Sequence, residues 1–192
     1  MGSVELGFYN LSYNLMLFPV GNLTGVIAPV LHPILSDYQY EPEVIYEKYI
    51  KVVKILACIG VYVSATCYFC ADEIIGILYG EYWKRSAYCF QILSIAIIPQ
   101  MINGSAGAIF QSIGNTRLLF LNGWLNSCIT LLLTIYGVLV LQTIDGLAWC
   151  VAVAYLIHFF TAFYMLIKMG FSSSVVRFIK EVLPECFILF LV

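Results

Sequence analysis

Four stretches of this sequence, Leu6 to Ser36, Ser86 to Thr116, Leu118 to Ile144 and Gly146 to Ile167, contain no Asp, Glu, Lys or Arg. Each is long enough to cross the hydrocarbon core of a bilayer, which takes about 20 helical residues. The rest of the 192-residue chain cannot offset them. Hydrophobic residues make up 62% of it and charged ones 10%, whereas soluble domains carry roughly 25% charge. A water-soluble surface cannot be built from that supply, so a soluble enzyme, a nucleic-acid binder and a disordered linker are excluded. The apolar runs are continuous rather than alternating, which excludes a membrane β-barrel and leaves helices that satisfy their own backbone bonds. The expected fold class is all-α: a polytopic helical membrane protein, organised as one transmembrane region over residues 1–192.

The predicted spans cover about 6–31, 55–71, 87–113, 118–141 and 147–167. Residues 36–54, with Asp37, Glu41, Glu43, Glu47, Lys48 and Lys51, read as a loop leading into a charged helix start. Residues 72–85 mix Ile74, Ile75, Leu78, Tyr82 and Trp83 with charges, as an interfacial helix and turn would. The turns 114–117 and 142–146 are too short to hold a domain. After Lys168 comes a Ser-rich basic connection through Ser172, Ser173, Ser174, Arg177 and Lys180, then an apolar run over 183–192 containing Glu185. Ten residues are too few for a span of roughly 30 Å, so a truncated sixth helix and a fragment of a longer protein are expected. Assigning alternate connections to the two sides puts Lys48, Lys51, Lys54, Arg117, Lys168, Arg177 and Lys180 on one face and Lys84 and Arg85 on the other. The positive-inside rule makes the first face cytoplasmic.

Polar residues recur on single helix faces. In the third span Gln100, Asn103, Gly107, Gln111 and Gly114 follow Pro99 at spacings of three and four. Pro99 lacks an N–H, frees the carbonyl of Ile95 and predicts a kink near the middle of that span. In the fourth span Asn122, Asn126, Thr130 and Thr134 repeat every four residues, and in the first Asn10 and Asn14 continue toward Gly21 and Gly25, with Pro19 between them. Such stripes fit two readings: seams between packed helices, or the lining of a hydrated cavity. Gly104 and Ala108 fit close packing alone. Pro19 and Pro99 are candidate hinges. The substrate-path candidates are Asn10, Asn14, Gln100, Asn103, Gln111, Asn122, Asn126, Thr130 and His158.

His158 is the one ionisable group deep in a span, with Ala154 and Thr161 on its face. An intramembrane ionisable residue is a functional candidate by default. No carboxylate within the spans could partner it in a proton relay, which favours a neutral imidazole bonded to a neighbouring helix. His32, between Pro29 and Pro33, fits a helix end. Cys58, Cys67, Cys70, Cys128 and Cys150 fall in spans where a thiol packs as a small apolar group. The Cys67 and Cys70 pair lacks the second pair or His that a metal site needs. No nucleophile with its base, paired catalytic carboxylates or phosphate loop is present. No catalytic residue, metal or cofactor is therefore expected, and the chain reads as a non-enzyme.

Three stretches carry a family resemblance. Leu6-Gly7-Phe8-Tyr9-Asn10-Leu11-Ser12-Tyr13-Asn14, followed by Pro19 and by 29–36 (Pro-Val-Leu-His-Pro-Ile-Leu-Ser), is the first. Glu73 to Trp83, with Leu78-Tyr79-Gly80 at its centre, is the second. Gln91-Ile92-Leu93 followed by Gly114-Asn115-Thr116 is the third. In this order the chain resembles the polysaccharide exporters of the multidrug, oligosaccharidyl-lipid and polysaccharide flippase superfamily, including O-antigen flippases of the Wzx type. The resemblance implies the second half of a two-lobed, MATE-like helical transporter in a bacterial inner (plasma) membrane. It implies a lipid-linked oligosaccharide of the polyprenyl diphosphate type as substrate, moved between leaflets by alternating access for O-antigen, capsule or other surface polysaccharide. A missing N-terminal lobe would be its partner, beside the lipid bilayer, and nucleic acid would not. The family has no short catalytic signature to carry over. A drug or ion antiporter of the same superfamily, a membrane polymerase or acyltransferase, and a non-functional fragment are the other readings.

Overall fold

The computed structural model describes residues 2–38 and 40–170. The expected span 183–192, Arg177, Lys180 and the side chain of His32 lie outside the described residues. Every regular element among those described is helical. The order is α1 (Ser3–Ser36), α2 (Pro42–Phe69), α3 (Ala71–Tyr79), a 3₁₀ turn (Glu81–Lys84), α4 (Arg85–Ser94), α5 (Ile97–Ser112), α6 (Thr116–Tyr136) and α7 (Ile144–Met165). Wider turns of π type extend α6 over Gly137–Leu141 and α7 over Leu166–Gly170. Four of these helices are long and apolar enough to cross a membrane, and α4 with α5 makes a fifth crossing if the bent pair counts as one. The chain is an all-α polytopic membrane protein.

The segment 36–54, expected as a loop with a span starting near 55, is mostly helix. Only residues 37–41 connect α1 to α2. Pro42 opens α2 at a position where the first-turn N–H needs no partner, and Glu43 complements the helix dipole there. Glu43, Glu47 and Lys51 stay exposed while Ile45, Tyr46, Tyr49, Ile50 and Val53 are buried. The charges that suggested a loop are the wet face of an amphipathic first stretch.

The third span is also corrected. In place of one helix over 87–113 kinked at Pro99, the chain forms α4 and α5, bent by 56° at Ile95 and Ala96. Pro99 sits in the first turn of α5, where its missing N–H costs no helical bond. Ser64 of α2 donates to the carbonyl of Ser94 at 2.8 Å, so the polar backbone exposed at the break is met from the neighbouring helix. Pro19, by contrast, lies inside α1 without interrupting it.

Two buried clusters mark the ends of the bundle. One gathers Met16, Ile75, Phe90, Leu93, Leu147 and Val151. The other gathers Leu35, Ile45, Tyr49, Phe110, Leu118 and Phe163. Since α4 belongs to the first cluster and the far end of α5 to the second, the bent pair runs from one end to the other as a broken span. Lys48, Lys51, Lys54, Arg117 and Lys168 therefore share the second, basic end. Lys84 and Arg85 lie at the first, where Arg85 reaches Glu5 at 3.4 Å and Phe8 stacks edge-on to Trp83.

Helix α5 is the axis of the packing, with α1, α2, α6 and α7 against it. It packs tightly on α1 at Gly104, where an added Cβ would lie 2.5 Å from Thr24 Cγ2. That contact explains a residue with no side chain at this point. By comparison α6 is thinly covered, burying only Leu118 and Asn122. Phe120, Trp124, Leu131, Leu132, Ile135 and Tyr136 are exposed along it, a surface suited to lipid.

Candidate functional site

The α6 stripe and the α7 histidine meet. Asn115 caps α6 by accepting from the Leu118 N–H at 3.2 Å, and Thr143 caps α7 by accepting from Gly146 at 3.1 Å. Gln142 takes a left-handed conformation (φ 54°) between them. The short turn at 142–143 sets α6 and α7 as an antiparallel pair, with Asn126 and His158 bonded to each other near the middle of each helix.

His158 is buried, and its Nε2 lies 2.9 Å from the Asn126 carbonyl and 3.1 Å from Thr130 Oγ1. A carbonyl only accepts, so Nε2 carries the proton and the neutral ring keeps Nδ1 as an acceptor. Thr130 also donates to the Asn126 carbonyl, at 3.0 Å. Thr161 of α7 donates to the Asn126 side-chain oxygen at 3.1 Å. Two helices are thus joined by a compact set of neutral polar groups. Each bond of this kind is worth about 1 kcal/mol or less in a bilayer.

The network does not fill the space beside it. A groove of about 420 Å³ is lined by Asn126, Ser127, Thr130, Leu131, Thr134 and His158. The volume falls within the roughly 300–1,000 Å³ usual for small-ligand sites. Ser127, which the four-residue periodicity leaves out, lies three before Thr130 and seven before Thr134. Those spacings place it on the same helical face and could have identified it.

The other sequence candidates are placed elsewhere. Asn10 and Asn14 are exposed on α1, and Asn14 folds back onto the Asn10 carbonyl at 2.9 Å. Gln100 and Asn103 are half-buried on α5, and Gln111 is exposed near its end. Asn122 is buried on α6, one turn before the network. The side-chain oxygens of Gln100, Asn103 and Asn122 are shut away with no hydrogen-bond donor among the described residues. The structure unites Asn126, Thr130 and His158. It does not unite the stripes of α1 and α6, because α6 packs chiefly on α7 and α5.

A second polar junction was not signalled by any stripe. Tyr13 and Tyr155 bring their hydroxyls to 2.7 Å between α1 and α7, and the Tyr155 ring meets the His158 ring edge-on at 5.7 Å. Polar contact therefore runs from α1 through α7 to α6. Elsewhere, the six described cysteines are free thiols. No three His, Cys, Asp or Glu side chains gather as metal ligands among the described residues.

Comparison with known proteins gives sequence matches only. A family profile described as a polysaccharide biosynthesis protein matches residues 1–88. The teichuronic acid biosynthesis protein TuaB of Bacillus subtilis is 25% identical over 178 residues, which cover 90% of this chain and 36% of that protein. An uncharacterized membrane protein in the cps region of Klebsiella pneumoniae is 25% identical over 112 residues, covering 58% of this chain and 23% of that one. The lipopolysaccharide biosynthesis protein WzxC of Escherichia coli is 20% identical over 112 residues, with the same coverage of 58% and 23%. The chain spans about a third or less of the length of the curated relatives it matches. No solved structure matches it.

Proposed function

We propose that this chain, a multi-pass membrane protein of the polysaccharide exporter and flippase family, is part of a transporter that moves lipid-linked oligosaccharide between the leaflets of a bacterial inner membrane. The observation that carries this reading is the set of neutral polar side chains, Asn126, Thr130, Thr161 and His158, that join α6 and α7 near the middle of both apolar helices. Polar side chains at that level of an apolar helix are costly unless protein, water or a polar ligand meets them. Transporter sites lie near the bilayer midplane for the same reason.

The physical task is set by the glycan, which cannot cross hydrocarbon without its hydroxyls being met. A path lined by Asn122, Asn126, Thr130 and His158, continued by Gln100, Asn103 and Gln111 on α5 and by Asn10 and Asn14 on α1, supplies such partners in neutral form. Alternating access then requires helices that change their angle. The bend between α4 and α5, with Pro99 one turn beyond it, and Pro19 within α1 are the positions we assign to that motion. A two-lobed protein would set this chain against another lobe, with the basic end in the cytoplasm. The partner lobe, the lipid diphosphate and the O-antigen or capsule product belong to the same proposal. A membrane polymerase or acyltransferase would need reacting groups, and the groove offers hydroxyls and an imidazole without a carboxylate beside them.

The test is export in a strain whose surface glycan depends on the protein carrying this chain. Asn122→Leu with Asn126→Leu should lower surface glycan several-fold while membrane levels stay unchanged. Unaltered export at equal protein level would remove α6 from the path.

A further inference from the structure

We infer that α3 and the 3₁₀ turn after it dock onto the bilayer itself, lying in the headgroup layer at the end opposite the basic one. Ile77 and Leu78 are the inserted side chains, and an uncharged or zwitterionic lipid surface is the partner. Only a chain that spans a membrane is needed for this, whatever that chain transports.

Helix α3 has nine residues, about 13 Å at 1.5 Å each, which is less than half of the roughly 30 Å of hydrocarbon. It joins the end of α2 to the start of the α4–α5 crossing, so it stays at the membrane end to which those spans bring it. Gly80 ends it at φ 86°, a conformation that costs glycine nothing, and the chain passes through Glu81–Lys84 into α4.

Three faces divide α3. Ala71 and Ile75 are fully buried against the bundle. At about 100° per residue, Ile74, Ile77 and Leu78 fall on one side of that inward face, and Asp72, Glu73 and Gly76 on the other. Ile77 is 84% exposed and Leu78 61%. The acidic side lines an open pocket with Glu81 and Lys84, which pair at 2.8 Å. A helix surrounded by hydrocarbon would not carry the acidic flank, and one projecting into water would gain nothing from the apolar flank. Two such flanks side by side outside the core suit a helix lying along the boundary between hydrocarbon and water.

The aromatic residues around α3 agree. Tyr82 is 69% exposed in the turn, and its ring meets those of Trp83 and Phe8 at 5.7 Å each. Tyr and Trp gather at that depth of a membrane because their rings are amphipathic. Phe69, the last residue of α2, is 78% exposed, so the apolar surface of α3 follows directly from that of a span. Charge then identifies the lipid. Helices drawn to anionic lipid carry free Lys and Arg on their polar face, whereas Asp72, Glu73 and Glu81 here outnumber Lys84 and Arg85, both of which face carboxylates. Insertion therefore comes from apolar and aromatic side chains. Docked in this way, α3 fixes the depth at which α4 begins and, through Arg85 with Glu5 and Trp83 with Phe8, the depth at which α1 begins.

The experiment attaches one environment-sensitive fluorophore at Glu73, Ile77 or Leu78 of the otherwise cysteine-free full chain in phosphatidylcholine nanodiscs. All three side chains face outward, so the label displaces no core contact. A lipid carrying a nitroxide near its headgroup should quench the labels at Ile77 and Leu78 about twofold or more strongly than the label at Glu73, as for a helix face sunk about 5–10 Å into the boundary. Aqueous iodide should show the reverse order. Replacing part of the phosphatidylcholine with phosphatidylglycerol should leave both orders unchanged. Iodide quenching at Ile77 and Leu78 equal to that at Glu73 would put α3 in water and overturn the docking. Protection of Ile77 and Leu78 from both quenchers would mean that protein covers the face, which overturns it as well. Deeper insertion in the anionic lipid would overturn the uncharged partner.

Discussion

At the scale of single residues, a tight glycine contact between α1 and α5 makes the sharpest stability prediction. Gly104 lies against Thr24, and a Cβ there would meet the threonine methyl at 2.5 Å. Gly104→Ala should therefore destabilise the α1–α5 pair by about 1–3 kcal/mol despite alanine's better helix propensity. Thr24→Gly added to it should recover most of the loss, as read by thermal unfolding in detergent. His158→Leu should cost less, about 1 kcal/mol, because it removes one interhelical bond and fills the same space. A cycle combining it with Thr161→Val should show a coupling of about 0.5 kcal/mol or more, since both side chains bond Asn126 and Thr161 also bonds the His158 carbonyl. Both residues could be located in the sequence. A small-residue pair marked Gly104 for packing, and an isolated histidine in an uncharged run marked His158. Their partners could not be located, because Thr24 and the Asn126 carbonyl lie far away along the chain and no local spacing encodes which helix faces which.

At the scale of elements, charge and periodicity were legible in unequal measure. The uncharged runs announced α1, α6 and α7 because each exceeds the thickness it must cross. The start of α2 was hidden because Glu43, Glu47 and Lys51 resemble a loop until Ile45, Tyr46, Tyr49 and Ile50 are seen to occupy the opposite face. Pro99 announced a disturbance in the third span, and its freed carbonyl at Ile95 coincides with the break. The bend of 56° and the Ser64 hydroxyl that meets the Ser94 carbonyl required the packed structure. The broken span carries a topological prediction. If α4 and α5 together cross once, reporters inserted at Gly80 and at Asn115 must report opposite sides, and one after Gln142 must agree with Gly80. The positive-inside rule predicts a cytoplasmic Asn115. A re-entrant α4–α5 would put Gly80 and Asn115 on the same side, which an alkaline phosphatase and fluorescent-protein pair distinguishes directly.

At the scale of the whole molecule, the two outer helices present unlike surfaces to their surroundings. Helix α6 exposes Phe120, Trp124, Leu132 and Ile135, which lipid chains accept without loss. Helix α1 exposes Asn10, Asn14, Gly21 and Gly25 within about 60° of one another around its axis. Asn14 bonds back to its own helix at Asn10, and Asn22 does the same at Phe18, as amides do when nothing outside receives them. Hydrocarbon is a poor neighbour for that face, since the amides lose water and the glycines offer little to pack against. Water or another protein surface would serve it better, in keeping with a path that opens along α1. Spin labels in a cysteine-free chain in nanodiscs distinguish these environments. Labels at Asn14 and Gly21 should be less accessible to oxygen than labels at Phe120 and Leu132, by about twofold or more. If the face lines a hydrated path, Asn14 should also be reached by a water-soluble nickel relaxant, and if another surface covers it, neither relaxant should reach it. Oxygen accessibility at Asn14 and Gly21 equal to that at Leu132 would mean that α1 faces lipid on this side, and its asparagines would then leave the substrate path.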